Sequence, residues 1–137
     1  MKKAIFILLT TLSIAACDKV YINGALDGMW KLTSVQYSDS TAYPTQIFYS
    51  FQRHLAQVGE YYDEEFPTRF LCELNYNGKQ LSMSNFHSFP LELYPATPEM
   101  LKTFHLYSNS TVFTIVTLNK ETLIMSSEER TYHFSKW

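Results

Sequence analysis

The feature that most constrains the fold is a succession of short segments rich in β-branched and aromatic residues, separated by turn residues. The clearest are Gly28–Tyr37, Gln46–Gln57, Arg69–Tyr76, Lys79–Phe86, Thr111–Leu118, Glu121–Ser127 and Thr131–Lys136. Short strands repeated about every eight to twelve residues are typical of antiparallel sandwiches and barrels. Closure into a barrel would pair the edge strands, which in an open sheet invite aggregation. The sequence therefore predicts an all-β domain and favours a barrel.

Alternation with a period of two gives two specific local predictions. In the hairpin between Tyr76 and Lys79, we expect Asn77 and Gly78 to be the central residues of a type I′ turn, because both tolerate positive φ. In the first strand, strict alternation places Trp30, Leu32 and Ser34 on one face and Lys31, Thr33 and Val35 on the other. An acidic segment, Tyr61–Pro67, is expected to be a loop.

One segment departs from the strand pattern and predicts a helix from Pro98 to about Tyr107. Thr97 suits the N-cap, and Pro98 suits the first helical position. The residues spaced for one apolar face, which we expect to pack on the barrel, are Met100, Phe104 and Tyr107.

The N-terminus has the pattern of a secretory signal. Met1–Lys3 is cationic, and the apolar run from 4 through 16 has 13 residues. As a helix this run spans about 20 Å, whereas a bilayer core is about 30 Å thick. Removing residues 1–16 leaves 121 of 137 residues, enough for one domain. Loss of Lys2 and Lys3 changes the formal charge from −2 to −4, which argues against nucleic-acid binding.

The end of this segment, Ile14-Ala15-Ala16-Cys17, resembles the lipobox of bacterial lipoproteins. The resemblance implies that Cys17 is lipidated, with palmitate among the acyl chains, and that residues 17–26 form a lipidated tether. Two or three acyl chains would hold the protein on a membrane, whereas one myristoyl chain binds only reversibly. We therefore expect a cell-envelope lipoprotein, with the outer membrane favoured. The Asp18-Lys19 pair after Cys17 does not decide between the inner and the outer membrane, and the membrane face is also left open.

Lipidation of Cys17 would leave Cys72 without a disulfide partner, since the chain has two cysteines. Cys72 lies within an apolar run and is expected to be a small buried side chain. The ten Phe, ten Tyr and two Trp residues indicate either a packed core or an aromatic-lined ligand cavity.

Gly28-Met29-Trp30, at the start of the first strand, resembles the Gly-x-Trp signature of lipocalins. With the lipobox, the late helix and the C-terminal meander, the chain is similar to small lipocalin-like domains of lipoproteins from anaerobic Gram-negative bacteria. The resemblance implies an antiparallel up-and-down barrel of about eight strands with one short helix over residues 27–137. It also implies that Trp30 plugs the closed end, with Arg53 and Arg130 as the candidate basic residues to cap it.

The sequence contains no motif that predicts catalysis, a cofactor or a metal, so we expect a protein that is not an enzyme. Asp63-Glu64-Glu65 lacks the spacing of calcium loops. Asp39-Ser40-Thr41 resembles an O-glycosylation site seen in some anaerobic Gram-negative bacteria. The histidines, which occur singly, are His54, His87, His105 and His133.

Two hypotheses for function remain. In the first, the barrel binds a small apolar or amphipathic ligand at its mouth. The residues expected to line that entrance are Tyr49, Phe51, Tyr76, Phe86 and Phe113. In the second, the barrel is filled by its own side chains, and the protein is an accessory subunit of an envelope complex. The stretch from Phe86 to Tyr94 would then be the docking loop.

Overall fold

The computed structural model describes residues 22–62, 65–88 and 95–137, with the backbone alone for 65–67. The predicted signal peptide, Cys17, the acidic residues Asp63 and Glu64, and most of the predicted docking loop lie outside the described residues. In the described part, no helix is long and apolar enough to cross a membrane.

The described residues form nine antiparallel strands in one closed sheet. They are β1 (Gly28–Gln36), β2 (Thr41–Ala42), β3 (Ile47–Gln52), β4 (Leu55–Tyr62), β5 (Glu65–Tyr76), β6 (Gln80–Ser88), β7 (Ser110–Leu118), β8 (Thr122–Ser127) and β9 (Arg130–Lys136). The strand order is β2-β1-β3-β4-β5-β6-β7-β8-β9, and pairing of β1 with β9 closes the barrel. Because β2 has only two residues, the barrel wall consists of eight longer strands, as the sequence predicted.

The up-and-down order gives the barrel two distinct ends. The base contains a 3₁₀ turn, Gly24–Leu26, and the turns that follow β3, β5 and β7. The mouth contains the connections that follow β1, β4, β6 and β8. The β6–β7 connection carries the one helix that the structure describes, α1 (Pro98–Leu101), which a 3₁₀ turn, Lys102–Phe104, extends.

Aromatic side chains fill the barrel from base to mouth. The largest side chains that are fully buried belong to Trp30, Tyr49, Tyr132, Phe51, Phe86, Phe104 and Phe113. Within the described residues, no buried side-chain nitrogen or oxygen lacks a hydrogen-bond partner. The interior is therefore a packed core, as an eight-stranded barrel permits.

The predicted strand Gln46–Gln57 was wrong, because the chain reverses within it. β3 ends at Gln52, β4 begins at Leu55, and Arg53 turns the chain with a φ of 56°. No Gly, Pro or Asn marks this turn, so composition gave no signal. Tertiary hydrogen bonds hold it, since the carbonyl oxygens of Arg53 and His54 accept from Asn23 Nδ2 and from the backbone N–H of Leu74.

The predicted loop Tyr61–Pro67 was also wrong in extent. β4 continues through Tyr62, and β5 begins at Glu65. The ladder between the two strands shifts register between Glu60 and Tyr62.

The β5–β6 hairpin exists, but its turn lies one residue later than predicted. Tyr76 pairs with Leu81, so Gly78 and Lys79 are the central residues. Gly78 has a φ of 95°, and it is the one central residue with positive φ, the pattern of a type II′ turn. Asn77 acts through its side chain, whose Oδ1 accepts from the backbone N–H groups of Lys79 at 2.9 Å and Gln80 at 2.7 Å.

A β-bulge corrects the predicted faces of the first strand. The register of β1 against β9 shifts between Leu32 and Ser34. Val35 therefore points into the core with Trp30 and Leu32, and all three are fully buried. Strict alternation could not anticipate the extra residue.

The helix begins at Pro98 as predicted, but it is shorter than expected and packs in the mouth of the barrel instead of on its outer wall. It ends where His105 adopts a left-handed conformation, with a φ of 62°. Phe104 is fully buried, but Met100 and Tyr107 are exposed and do not form a packed stripe with it. The segment enters the mouth of the barrel and does not lie on the outer wall.

Candidate functional site

The base of the barrel is closed around Trp30. Its indole Nε1 donates to the carbonyl oxygen of Leu26 at 2.8 Å, and the ring is fully buried. Lys136 Nζ lies 4.5 Å from the ring centroid and donates to the carbonyl oxygen of Asp27 at 2.5 Å. Burial lowers the pKa of Lys136. Gly28 leaves room for this ammonium, because a Cβ at Gly28 would lie 2.6 Å from Lys136 Nζ.

The basic residue over Trp30 is thus Lys136, and the expectation of Arg53 or Arg130 was wrong. Lys136 is the partner of Trp30 in the β1–β9 pairing that closes the barrel. Arg53 lies in an exposed turn at the base, and Arg130 begins β9 at the mouth. The Gly-x-Trp pattern predicts a basic residue over the Trp ring. Which residue this is depends on the pairing of β9 with β1, which the sequence does not show.

The residues predicted to line a ligand entrance do not meet at an open cavity. Tyr49, Phe51, Phe86 and Phe113 are buried in the packed interior. Phe51 pairs with Gly28 and so lies at the base. Tyr76 lies beside the base hairpin, where it lines a surface depression of about 440 Å³. The predicted entrance is therefore not assembled from these side chains.

The mouth is closed from within by the β6–β7 connection. Leu101, Phe104 and Leu106 of this segment are fully buried. The Tyr49 hydroxyl donates to the carbonyl oxygen of Phe104 at 2.5 Å, and the Phe70 and Phe104 rings meet edge to face at 5.8 Å. We call residues 96–106 the mouth plug.

Side-chain hydrogen bonds hold the mouth plug in place. Thr97 caps α1 as predicted, since its hydroxyl oxygen accepts from the N–H of Met100 at 3.3 Å. Asn109 ties the plug to β6. Its Nδ2 donates to the carbonyl oxygens of Ala96 at 2.7 Å and Phe86 at 3.2 Å, and its Oδ1 accepts from the N–H of Phe86.

Above the plug lies a polar and aromatic group that the sequence did not predict. We call it the mouth cluster, and its members are Tyr37, His105, Tyr107, Arg130 and Tyr132. The Tyr37 hydroxyl lies 2.6 Å from His105 Nδ1 and 2.5 Å from the Tyr107 hydroxyl. Arg130 Nε donates to the Tyr132 hydroxyl at 3.0 Å, and its guanidinium carbon lies 4.7 Å from the Tyr107 ring centroid.

Electrostatics leave the mouth cluster with one charged member. Burial raises the pKa of Tyr132 to about 12 and raises the pKa of Tyr37 further. Burial also lowers the pKa of His105 below its usual 6.5, so the imidazole is neutral at neutral pH. Arg130 is therefore the cation of a cluster that is otherwise neutral, and Glu128 is its carboxylate neighbour at 3.6 Å.

The barrel wall opens beside Arg130. The β7–β8 ladder ends at the pair Thr114 and Ser126, although β7 begins at Ser110. β8 ends at Ser127, one residue past that pair, so the first residues of β7 project beyond it. A cleft of about 280 Å³ lies beside them, which we call the mouth cleft. Its lining residues are Tyr107, Ser108, Ser110, Thr111, Val112, Ser127, Glu128 and Arg130. A second depression, of about 370 Å³, lies on the other side of Arg130 and includes Tyr37.

The side chains that could support other chemistry are dispersed. Cys72 is buried as expected, and burial raises the pKa of its thiol to about 12. No three His, Cys, Asp or Glu side chains of the described ranges are grouped to hold a metal ion. Ser40 and Thr41 are exposed at the mouth, where glycosylation of either stays a prediction.

Comparison with known proteins agrees with the geometry of the barrel. Residues 10–137 match the family described as a lipocalin-like domain. The chain belongs to this lipocalin-like family. The resemblance drawn from Gly28 and Trp30, and the barrel it implied, are confirmed.

Two crystal structures share the lipocalin-like fold. A lipocalin-like protein from Bacteroides uniformis ATCC 8492 is 21% identical, with a TM-score of 0.66 over 83% of this chain and 100% of its own. An uncharacterized protein from Bacteroides eggerthii DSM 20697 is 17% identical, with a TM-score of 0.65 over 82% of this chain and 99% of its own. No curated protein matches the chain at a significant level.

Proposed function

We propose that this protein is a lipid-anchored lipoprotein of the bacterial cell envelope that binds a small amphipathic ligand. The binding site is the mouth cleft, not the barrel interior. The observation that carries this proposal is the cleft where β7 projects past the end of β8, next to a single cation, Arg130. Lipocalin-like barrels have the capacity to bind ligands. The mouth cleft is the concave surface of this barrel that includes a cation, an aromatic ring and hydroxyl groups.

The lining of the mouth cleft matches an amphipathic molecule with an acidic group. Tyr107 and Val112 expose 38% and 54% of their surfaces and offer apolar contact. The hydroxyls of Ser108 and Ser110 can donate or accept hydrogen bonds at the same cleft. The guanidinium of Arg130 presents paired N–H donors, the geometry that a carboxylate or phosphate accepts.

Glu128 does not block this role of Arg130. The Glu128 side chain is 77% exposed and 3.6 Å from the guanidinium. Because the Glu128 carboxylate can turn into solvent, an acidic ligand group can take its place beside Arg130. The Tyr132 hydroxyl and the Tyr107 ring hold the guanidinium in place whether or not Glu128 contacts it.

Membrane anchoring is the second part of the proposal and is supported by the sequence of residues 1–17. Metabolic labelling with palmitate should mark the wild-type protein and Cys72→Ser, and should fail to mark Cys17→Ser. Mass spectrometry of the mature N-terminal peptide should show acyl groups on Cys17. A mature protein that keeps an unmodified Cys17 thiol would contradict the anchor.

Native mass spectrometry of the protein purified from the envelope of its own host tests the ligand. We expect an extra discrete mass that disappears on organic extraction and is absent from Arg130→Gln. Lys102→Gln is the matched control, because Lys102 is an exposed cation at the mouth and pairs with Glu99 at 3.0 Å, away from the cleft. Equal retention of the extra mass by both variants would contradict binding at Arg130.

The filled interior favours a second candidate, an interaction protein that serves as an accessory subunit of an envelope complex. In this case the protein would carry no extra mass and would co-purify with a partner in fixed stoichiometry. Phe86, the first residue of the predicted docking loop, is fully buried and would not contact that partner. The rest of that loop lies outside the described residues.

A further inference from the structure

We infer that the base of the barrel is an electrostatic contact surface for anionic phospholipid headgroups of the membrane that carries the anchor. The inference rests on the proposed lipidation of Cys17. It adds an orientation to that anchor, with the base toward the lipid and the mouth away from it. Position, charge and surface polarity support it independently.

The first observation is where the chain enters the barrel. Ile22 and Asn23 lead directly into the 3₁₀ turn beneath Trp30, at the base. Five residues reach from Cys17 to Tyr21. A fully extended chain covers at most about 3.6 Å per residue, so the anchor can lie no more than roughly 20 Å from the base. The base is therefore the end that the lipid holds close to the membrane.

The second observation is the charge of the base. Each of its three turns carries one exposed cation, namely Arg53, Lys79 and Lys120. None of the three is in an ion pair within the described ranges. Two exposed carboxylates lie near these cations, Glu121 in the turn after β7 and Glu73 opposite Leu55. Three cations against two carboxylates leave the exposed base with one positive charge, although the whole chain has a formal charge of −2.

The mouth has the opposite charge. Its exposed carboxylates, in the described part of the chain, include Asp39, Glu99, Glu128 and Glu129. The mouth cations Lys102 and Arg130 have carboxylate partners, Glu99 and Glu128. The protein is thus an electrical dipole along the barrel axis, and an anionic surface attracts its base and repels its mouth.

The third observation is exposed apolar surface next to the basic turns. Leu55 follows the Arg53–His54 turn and is 54% exposed, and Ile22 is 51% exposed. A basic surface with apolar side chains at its edge is the composition that membrane interfaces favour. No comparable run of unpaired cations occurs at the described part of the mouth.

The magnitude is measurable. A basic residue near an anionic leaflet strengthens attraction about fivefold and a carboxylate weakens it by a similar factor, so three cations against two carboxylates strengthen it about fivefold. Reversing two of the charges removes two attractions and adds two repulsions. The double variant Lys79→Glu/Lys120→Glu should therefore lose the base contact, while both side chains lie in exposed turns where substitution leaves the fold intact.

The test uses the full lipidated chain in vesicles. A fluorophore is attached to Gln80→Cys at the base, which is selective because Cys72 is buried with a raised thiol pKa. Vesicles contain a headgroup-located nitroxide quencher in either phosphatidylcholine or a mixture with about one-third phosphatidylglycerol. We expect strong quenching only in the vesicles that contain phosphatidylglycerol. This quenching should disappear in 0.5 M salt and in Lys79→Glu/Lys120→Glu. The mouth control Lys102→Glu should keep it.

Equal quenching in the two vesicle types, or equal quenching of wild type and the double variant, would overturn the inference. Mass spectrometry before reconstitution separates this result from failure of the anchor. If no acyl mass is present, the anchor proposal fails, and the same chain is floated with the two vesicle types. If the chain floats only with the vesicles that contain phosphatidylglycerol, and the double variant does not float, the basic surface is still supported. If the chain does not float with these vesicles, the inference is overturned.

Discussion

Trp30→Ala should be among the most destabilising single substitutions in this barrel. The indole is fully buried, and removing a buried Trp or Phe side chain costs about 3–5 kcal/mol through lost transfer free energy and the cavity left behind. The substitution also leaves the carbonyl oxygen of Leu26 without its donor, and an unsatisfied buried acceptor costs about 1–3 kcal/mol. We therefore expect a loss near the upper end of the 3–5 kcal/mol range.

Two milder variants separate the contributions. Trp30→Phe keeps most of the buried ring but loses the hydrogen bond to Leu26, so it should cost about 1–3 kcal/mol. Lys136→Met keeps the aliphatic stem and loses the ammonium above the ring, a contact worth about 0.5–2 kcal/mol. Because the two residues touch, the double variant Trp30→Phe/Lys136→Met should deviate from additivity by about 0.5 kcal/mol or more.

Urea denaturation followed by far-ultraviolet circular dichroism measures these free energies of unfolding. Tyr43→Ala is the matched aromatic control, because Tyr43 is 74% exposed and its removal should change the free energy by less than about 0.5 kcal/mol. A loss below about 1 kcal/mol for Trp30→Ala would refute the argument that the Gly-x-Trp residues close the base of the barrel.

Three further predictions concern the mouth and the core. His105→Asn should flatten the dependence of stability on pH between 7 and 5. Burial lowers the pKa of His105 in the folded protein below 6.5, so the unfolded chain binds the proton at a higher pH than the folded chain does. Stability therefore falls as the pH drops below 6.5. Asn is the chosen replacement because it tolerates the left-handed backbone conformation of this position. Phe104→Ala should cost about 3–5 kcal/mol in urea denaturation and create binding of a small apolar probe such as benzene, which the wild type should lack. Cys72 should react with a disulfide reagent about 1000-fold more slowly in the folded than in the unfolded chain, because its thiol pKa rises from 9.0 to about 12; similar rates would contradict its burial.

The fold could be predicted from the sequence wherever one local pattern determines the structure. Trp30, two residues after Gly28, identifies the closed end because the Gly-x-Trp spacing is local. Thr97 and Pro98 mark the start of α1 for the same reason, since a cap requires only neighbouring residues.

The predictions failed where the structure depends on distant partners. The Arg53 turn has no local turn residue and exists because Asn23 and the hairpin strand β5 bind its carbonyl groups. Lys136 meets Trp30 only when β9 pairs with β1. The mouth cluster joins residues from the loop after β1, the β6–β7 connection and β9. The sequence spacing of these residues carries no signal of their contact, which is why the candidate site moved from the predicted interior residues to the cleft beside Arg130.

The two ends of the barrel should work independently, and this is testable. β1 has nine residues, so roughly 20–30 Å of tilted strand separates the base turns from the mouth cleft. That distance exceeds the Debye length of about 8 Å at physiological salt, so charge changes at the base should not reach Arg130. Lys79→Glu/Lys120→Glu should therefore lose headgroup quenching and retain the bound mass. Arg130→Gln should do the reverse, since its cleft faces away from the lipid and takes its ligand from the aqueous side. Loss of both properties in either variant would mean that ligand and membrane contact share one surface, and would place the binding site at the base.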